Sequence, residues 1–156
     1  MKYLALLLSF CALAGCTQTF VSTSTVPIYK GERYSKIYVA VKASNDLVRE
    51  ESETDIAFEL LGYYNADPIR SIDIQRYHRD SAKVDAILNV SFDETALPRW
   101  TKMRAALVDA KTETELWTAT IRCPSGGRYN SLHALLSTMA FRLAENLVDD
   151  GLIKTD

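Results

Sequence analysis

The sequence predicts an α+β domain: a two-layer sandwich with two helices on one face of a mostly antiparallel or mixed sheet of four to five strands. Three observations predict it. Two segments, residues 46–63 and about 132–148, carry apolar residues at a 3.6-residue rhythm. Four stretches, around residues 35–41, 86–92, 103–109 and 116–122, alternate with a period of two. Pro68, Pro98, Lys111-Thr112 and Pro124-Ser125-Gly126-Gly127 separate these segments as breakers. One apolar stripe per helix and one apolar face on the sheet can bury each other in two layers.

The chain begins with Lys2, an apolar run from Tyr3 to Leu13, and Leu13-Ala14-Gly15-Cys16. A positive start, an apolar stretch and small residues before a cut form an export signal. The run is shorter than the roughly 20 apolar residues a spanning helix needs, and Thr17-Gln18-Thr19 ends it. A cysteine after Leu-Ala-Gly resembles the bacterial lipoprotein signal. That resemblance implies cleavage after residue 15, lipid on Cys16 and membrane anchoring through several acyl chains. Thr17 in place of aspartate then resembles the pattern that sorts lipoproteins to the outer membrane.

Removing residues 1–15 from 156 leaves 141, one domain's worth of chain. Without Lys2, 17 basic residues face 20 acidic ones, a formal net charge of −3. This balance argues against a nucleic-acid partner. Cys11 leaves with the signal and Cys16 takes the lipid, so Cys123 stands alone and no internal disulfide is available. Cys123 reads as a packed thiol, with an intermolecular bridge as the alternative.

Residues 16–34 read as a lipidated tether rich in Ser and Thr, interrupted by Pro27 and Gly31, with a stretch around 25–29 able to dock as an edge strand. The folded domain is expected over residues 35–153. Ile37, Val39 and Val41 alternate with Tyr38 and Ala40, the pattern of a strand buried on both faces. Ser44-Asn45-Asp46 supplies cap side chains, and Glu50, Glu51 and Glu53 suit the early turns of a helix. Leu47, Val48, Ile56, Ala57, Leu60, Leu61 and Tyr64 form its apolar stripe. Ile69, Ile72 and Ile74 suggest a short strand, and residues 75–83 a polar loop. Ala86, Leu88, Val90 and Phe92 line one face of a clear strand. Met103 to Asp109 and Leu116 to Arg122 make a hairpin about residues 111–114. Asn130 or Ser131 caps the last helix and Gly151 ends it. The second sheet face should show Asn89, Ser91, Arg104, Thr118, Thr120 and Arg122.

The run Val84-Asp85-Ala86-Ile87-Leu88-Asn89-Val90, then Ala106-Leu107-Val108-Asp109-Ala110-Lys111-Thr112, then Leu116-Trp117, is similar to small envelope lipoproteins with the fold of the TolB N-terminal domain, including the curli-secretion lipoprotein. It covers residues 35–152. The resemblance implies a role in binding other envelope proteins. That family usually places glycine after the threonine of the hairpin, where this chain has Glu113-Thr114.

Catalytic patterns do not assemble. His78 and His133 are the only histidines, with no His-x₃-His or Cys-x₂-Cys spacing for a metal. His78 reads as a solvated loop residue and His133 as an edge-of-core residue. Asp109 and Asp85 read as carboxylates bonding nearby backbone N–H groups. Gly126-Gly127 lacks phosphate-loop spacing, and neither a Gly-x-Ser-x-Gly elbow nor a Ser-x-x-Lys is present. Aromatic and arginine residues favour interfaces. Arg99 and Trp100, with Arg76, Tyr77 and Arg79, are therefore the candidate partner-contact residues, with a structural role for Trp100 at the sheet's open end as the alternative.

The expected function is a non-enzymatic, lipid-anchored envelope protein that binds a partner as an accessory subunit of a secretion, transport or wall-synthesis assembly. No cofactor beyond the covalent lipid is expected, and homo-oligomerisation stays open. The alternative is a small-ligand or glycan binder using the polar sheet face.

Overall fold

A computed structural model describes residues 19–25, 34–62, 64, 66–70, 84–93, 100–124 and 131–153. The elements are β1 (Phe20–Thr25), β2 (Lys36–Lys42), α1 (Asp46–Gly62), β3 (Asp67–Arg70), β4 (Ala86–Asp93), β5 (Trp100–Asp109), β6 (Glu115–Pro124) and α2 (Leu132–Asp149). The strands form one mixed sheet in the order β1-β6-β5-β4-β2-β3. β2 pairs parallel with both β3 and β4, and the other neighbours are antiparallel.

The α+β class and the pair of helices match the expectation. The sheet has six strands, not four to five, because β1 adds an edge. Its six residues pair in full with β6, from Phe20 opposite Arg122 to Thr25 opposite Trp117. This strand falls within the stretch read as tether. Val21, opposite Ile121, packs against the core from β1. A Ser/Thr-rich strand is held there by its ladder more than by its side chains, which is why its composition reads as linker. Tyr34 is also core, and its backbone N–H donates to Leu152 at 2.9 Å.

Parity along the strands assigns the faces. Ile37, Val39, Ala86, Leu88, Met103, Leu107, Trp117, Ile121 and Cys123 are buried beneath the helices. Each fully buried aliphatic or aromatic side chain contributes roughly 1.5–3 kcal/mol. Cys123 Sγ also lies 3.6 Å from Thr19 Oγ1. Tyr38 and Ala40 are only half-buried, so β2 is not covered on both faces as its apolar alternation suggests. No described element lies over that second face.

Both helices start on side-chain caps. Asn45 Oδ1 accepts from Leu47 N at 2.8 Å, and Ser131 Oγ accepts from Ala134 N at 3.1 Å. α2 ends in a Schellman arrangement. Leu152 N donates to Leu147 O, Gly151 N donates to Val148 O, and Gly151 takes φ +77°. Its buried stripe includes Leu135, Met139, Leu143 and Leu147, as the 3.6-residue rhythm predicts.

α1 is rotated from expectation. Its buried residues are Ser52, Glu53, Ile56 and Leu60, while Leu47 and Leu61 from the predicted stripe are exposed, together with Phe58. The cause lies in β2. Ser35 O accepts from Asp67 N and Lys36 O accepts from Asp85 N, so odd-numbered residues of β2 face β3. Among the described residues, β3 pairs with β2 as far as Arg70, opposite Val39, and offers Val41 N–H no strand partner. Glu53 Oε1 accepts that N–H at 3.3 Å. A buried carboxylate here completes the sheet edge from the helix layer, and it draws that face of α1 inward.

Candidate binding surface

The uncovered sheet face is the broadest functional candidate among the described residues. One row across it reads Ser22, Thr120, Arg104, Ser91 and Lys42. The next reads Thr118, Ala106, Asn89 and Ala40. These rows line a shallow groove of about 450 Å³. Its floor is built of alanine and threonine, and Lys42 and Arg104 stand beside it. The six polar residues expected on this face all lie there. Ala40 and Ala106 make its floor less polar than the expectation implied.

A second cleft, of about 280 Å³, opens at one end of the sandwich. Ser44 and Asn45 before α1, Phe92 and Asp93 of β4, Thr101 of β5, and Leu132 and Leu136 of α2 line it. The C-terminal ends of β2, β4 and β6 therefore meet the starts of β1, β5 and both helices at one pole. A third row of the open face, Phe20, Arg122, Lys102 and Asp93, crosses the sheet at that pole.

The titratable groups that stand out lie between the helices. Asp55 Oδ2 is 3.7 Å from His133 Nδ1. Burial raises the Asp55 carboxyl above its ordinary value, against the lowering effects of His133 and a Ser137 hydrogen bond. Burial and the neighbouring Asp55 raise Glu59 as well. Burial, then Glu145, Glu59 and Asp149, raise Tyr64. His133 is exposed and paired to α1, rather than sitting at the core edge as expected. No group of three or more His, Cys, Asp or Glu able to hold a metal occurs among the described residues.

Asp109 behaves as read from the sequence. Its Oδ1 accepts from Lys111 N at 2.9 Å, Thr112 N at 2.7 Å and Thr112 Oγ1 at 3.0 Å. These bonds, the Thr112 backbone first, hold its carboxyl below the ordinary value. Asp85 differs slightly. Its Oδ2 accepts from Lys36 N at 3.1 Å, so it joins two strands instead of closing its own turn.

Of the predicted site residues, Trp100 begins β5 opposite Pro124, at the pole just described. Cys16, Arg76, Tyr77, Arg79 and Arg99 lie outside the described residues, as does His78. The pole itself was not legible in the sequence. Exposed Phe20, Leu47 and Leu132 belong to three separate elements, and only the chain path gathers them.

No known family's sequence profile matches this chain, and no curated protein is similar to it in sequence. Solved structures are similar in fold. A PelC dodecamer from Paraburkholderia phytofirmans aligns with a TM-score of 0.61 and 14% identity, over 83% of this chain and 97% of that one. In a second crystal form that protein aligns at 0.59 and 16% identity, over 88% and 100%. Lipoprotein GNA1162 from Neisseria meningitidis aligns at 0.48 and 16% identity, over 72% and 96%. At these identities the likeness to PelC is one of fold alone.

Proposed function

We propose that this chain is a lipid-anchored protein of the bacterial envelope that works by binding, as a self-assembling or accessory subunit, without catalysis. The observation that carries the reading is the uncovered sheet face. It is wide, shallow and fringed by cations, and it suits contact more than enclosure of a reacting group. The leader of residues 1–15 followed by Cys16 supports anchoring at the outer membrane, facing the periplasm, with the covalent lipid as the only added group. The likeness to a protein that forms dodecamers supports self-association. The strand motifs support the narrower label of a TolB N-terminal-domain-like fold.

In-cell crosslinking of the mature protein, with Cys16→Ser as control and mass spectrometry of what copurifies, tests this. The expected result is a ladder of its own copies or a stable envelope partner, reduced by changes at Tyr77, Arg99 or Trp100. Recovery of monomer alone, well folded, overturns it. A second reading is favoured by the groove itself. Lys42 and Arg104 beside Thr118, Thr120, Asn89 and Ser91 match an anionic saccharide, and direct titration with uronate-containing oligosaccharides would reveal it.

A further inference from the structure

We propose that the pole at the starts of β1, α1 and α2 is a membrane-docking face, which lays the domain against the lipid surface with its sheet ends down. The inference rests on the reading of Cys16 as the anchor and goes beyond it, because an anchor alone leaves the domain's orientation open.

Chain length makes the first argument. Cys16 precedes Phe20, the first residue of β1, by four residues. Four residues span at most about 14 Å, whatever path they take. The headgroup layer on each side of a bilayer is itself roughly 5–8 Å deep. Phe20 is thus confined near the headgroups whenever Cys16 carries lipid, and β1 is bound to β6 along its full length. The pole cannot lift away without breaking that ladder.

The surface at the pole makes the second. Six large apolar residues are exposed among the described residues, and three of them, Phe20 at 54%, Leu47 at 58% and Leu132 at 45%, lie at the starts of β1, α1 and α2, three of the four elements that start there. Phe58 and Leu61 lie toward the other end of α1, and Phe141 lies midway along α2. Leu132 also lines the apolar cleft between the helix starts.

Charge makes the third. Lys42, Lys102 and Arg122 fringe the pole on its sheet side, opposed by Asp93 and Asp46. No ion pair holds Lys42, Lys102 or Arg122 among the described residues, whereas Asp46 is paired with Arg49 at 3.0 Å. α1 as a whole carries six carboxylates and one arginine. An acidic protein that shows cations beside apolar side chains, next to its own lipid attachment point, has the arrangement of an interfacial contact. The long stems of lysine and arginine lie along apolar surface while their charges reach phosphate.

The test uses the full lipidated protein in vesicles of phosphatidylethanolamine and phosphatidylglycerol. An environment-sensitive fluorophore is placed by Phe20→Cys, Leu132→Cys or, at the opposite end of the sandwich, Glu113→Cys. Cys123 is fully buried and escapes labelling in the folded protein. Circular dichroism checks each fold, and mass spectrometry checks lipid on Cys16. The expected result is a blue shift with strong quenching by spin-labelled lipid at positions 20 and 132, and neither at 113. Open access of all three probes to aqueous iodide, with Cys16 lipidated, overturns the docking face and leaves the anchor intact. Probes at 20 and 132 shielded from both iodide and spin-labelled lipid also overturn it, in favour of a protein covering the pole. Absence of lipid on Cys16 overturns both readings together.

Discussion

The indole N–H of Trp117 donates to Asp150 Oδ2 at 2.6 Å. Trp117 is fully buried in β6, and Asp150 is the residue that ends α2. One bond thus ties the turn end of the hairpin to the C-terminus of the last helix. Tryptophan has a single polar atom, and burying it without an acceptor is costly.

Asp150→Ala removes that acceptor and leaves the indole N–H buried. A loss of about 1–3 kcal/mol is expected. Urea unfolding followed by tryptophan fluorescence measures it. Unchanged stability would mean that water replaces the carboxylate. Trp117→Phe in the Asp150→Ala background separates the hydrogen bond from the packing of the ring.

Glu113 takes φ +57° in the hairpin turn. Asp109 O accepts from Glu113 N at 2.9 Å, and Asp109 N donates to Thr114 O at 3.0 Å, so the turn needs a left-handed residue at this position. This is the place where the resembling family carries glycine. In this chain Glu113 itself takes the left-handed conformation. Glu113→Gly relieves a strain of about 1–2 kcal/mol, less the extra entropy of a glycine in the unfolded chain. A net rise in stability of about 1 kcal/mol or less is expected from thermal melts. A fall in melting temperature would show that the Glu113 side chain contributes more than its backbone costs.

Asp55 titrates against stability. Burial raises its carboxyl in the folded protein above the ordinary value of 3.8. The ionised form therefore burdens the folded state above that raised value. The burden lifts as pH falls through the raised value toward 3.8. Asp55→Asn removes the charge and can keep a hydrogen bond to Ser137. The variant should melt higher than wild type at neutral pH, and the gap should close on acidification through that window. A variant that instead melts lower than wild type at neutral pH would show that the attraction of His133 outweighs burial. Melting curves from neutral pH down to about 3.8 decide between them.

Local patterns alone were enough for the two helices, the β5–β6 hairpin and the role of Asp109. Each depends on contacts within a few residues: Ser131 to Ala134, Asp109 to Thr112, Gly151 to Val148. Cys123 was also legible as a packed thiol, because it continues the inward parity of Trp117, Ala119 and Ile121.

What the tertiary structure decided depends on distant partners. β1 is a strand because β6 offers it an edge, and nothing in Phe20–Thr25 distinguishes it from a linker. α1 faces inward through Glu53 and Ser52, and Glu53 takes the backbone N–H of Val41 on β2, a contact between elements that no helical rhythm encodes. Tyr38 and Ala40 look fit for burial, yet no described element covers them, since both helices pack on the other face. The sequence alone determined where the chain turns and which residues seek the core. Only three-dimensional closure decided which face each stripe met and brought Phe20, Leu47 and Leu132 to one pole, because hydrophobic burial is non-directional and strand pairing acts between segments far apart in the chain.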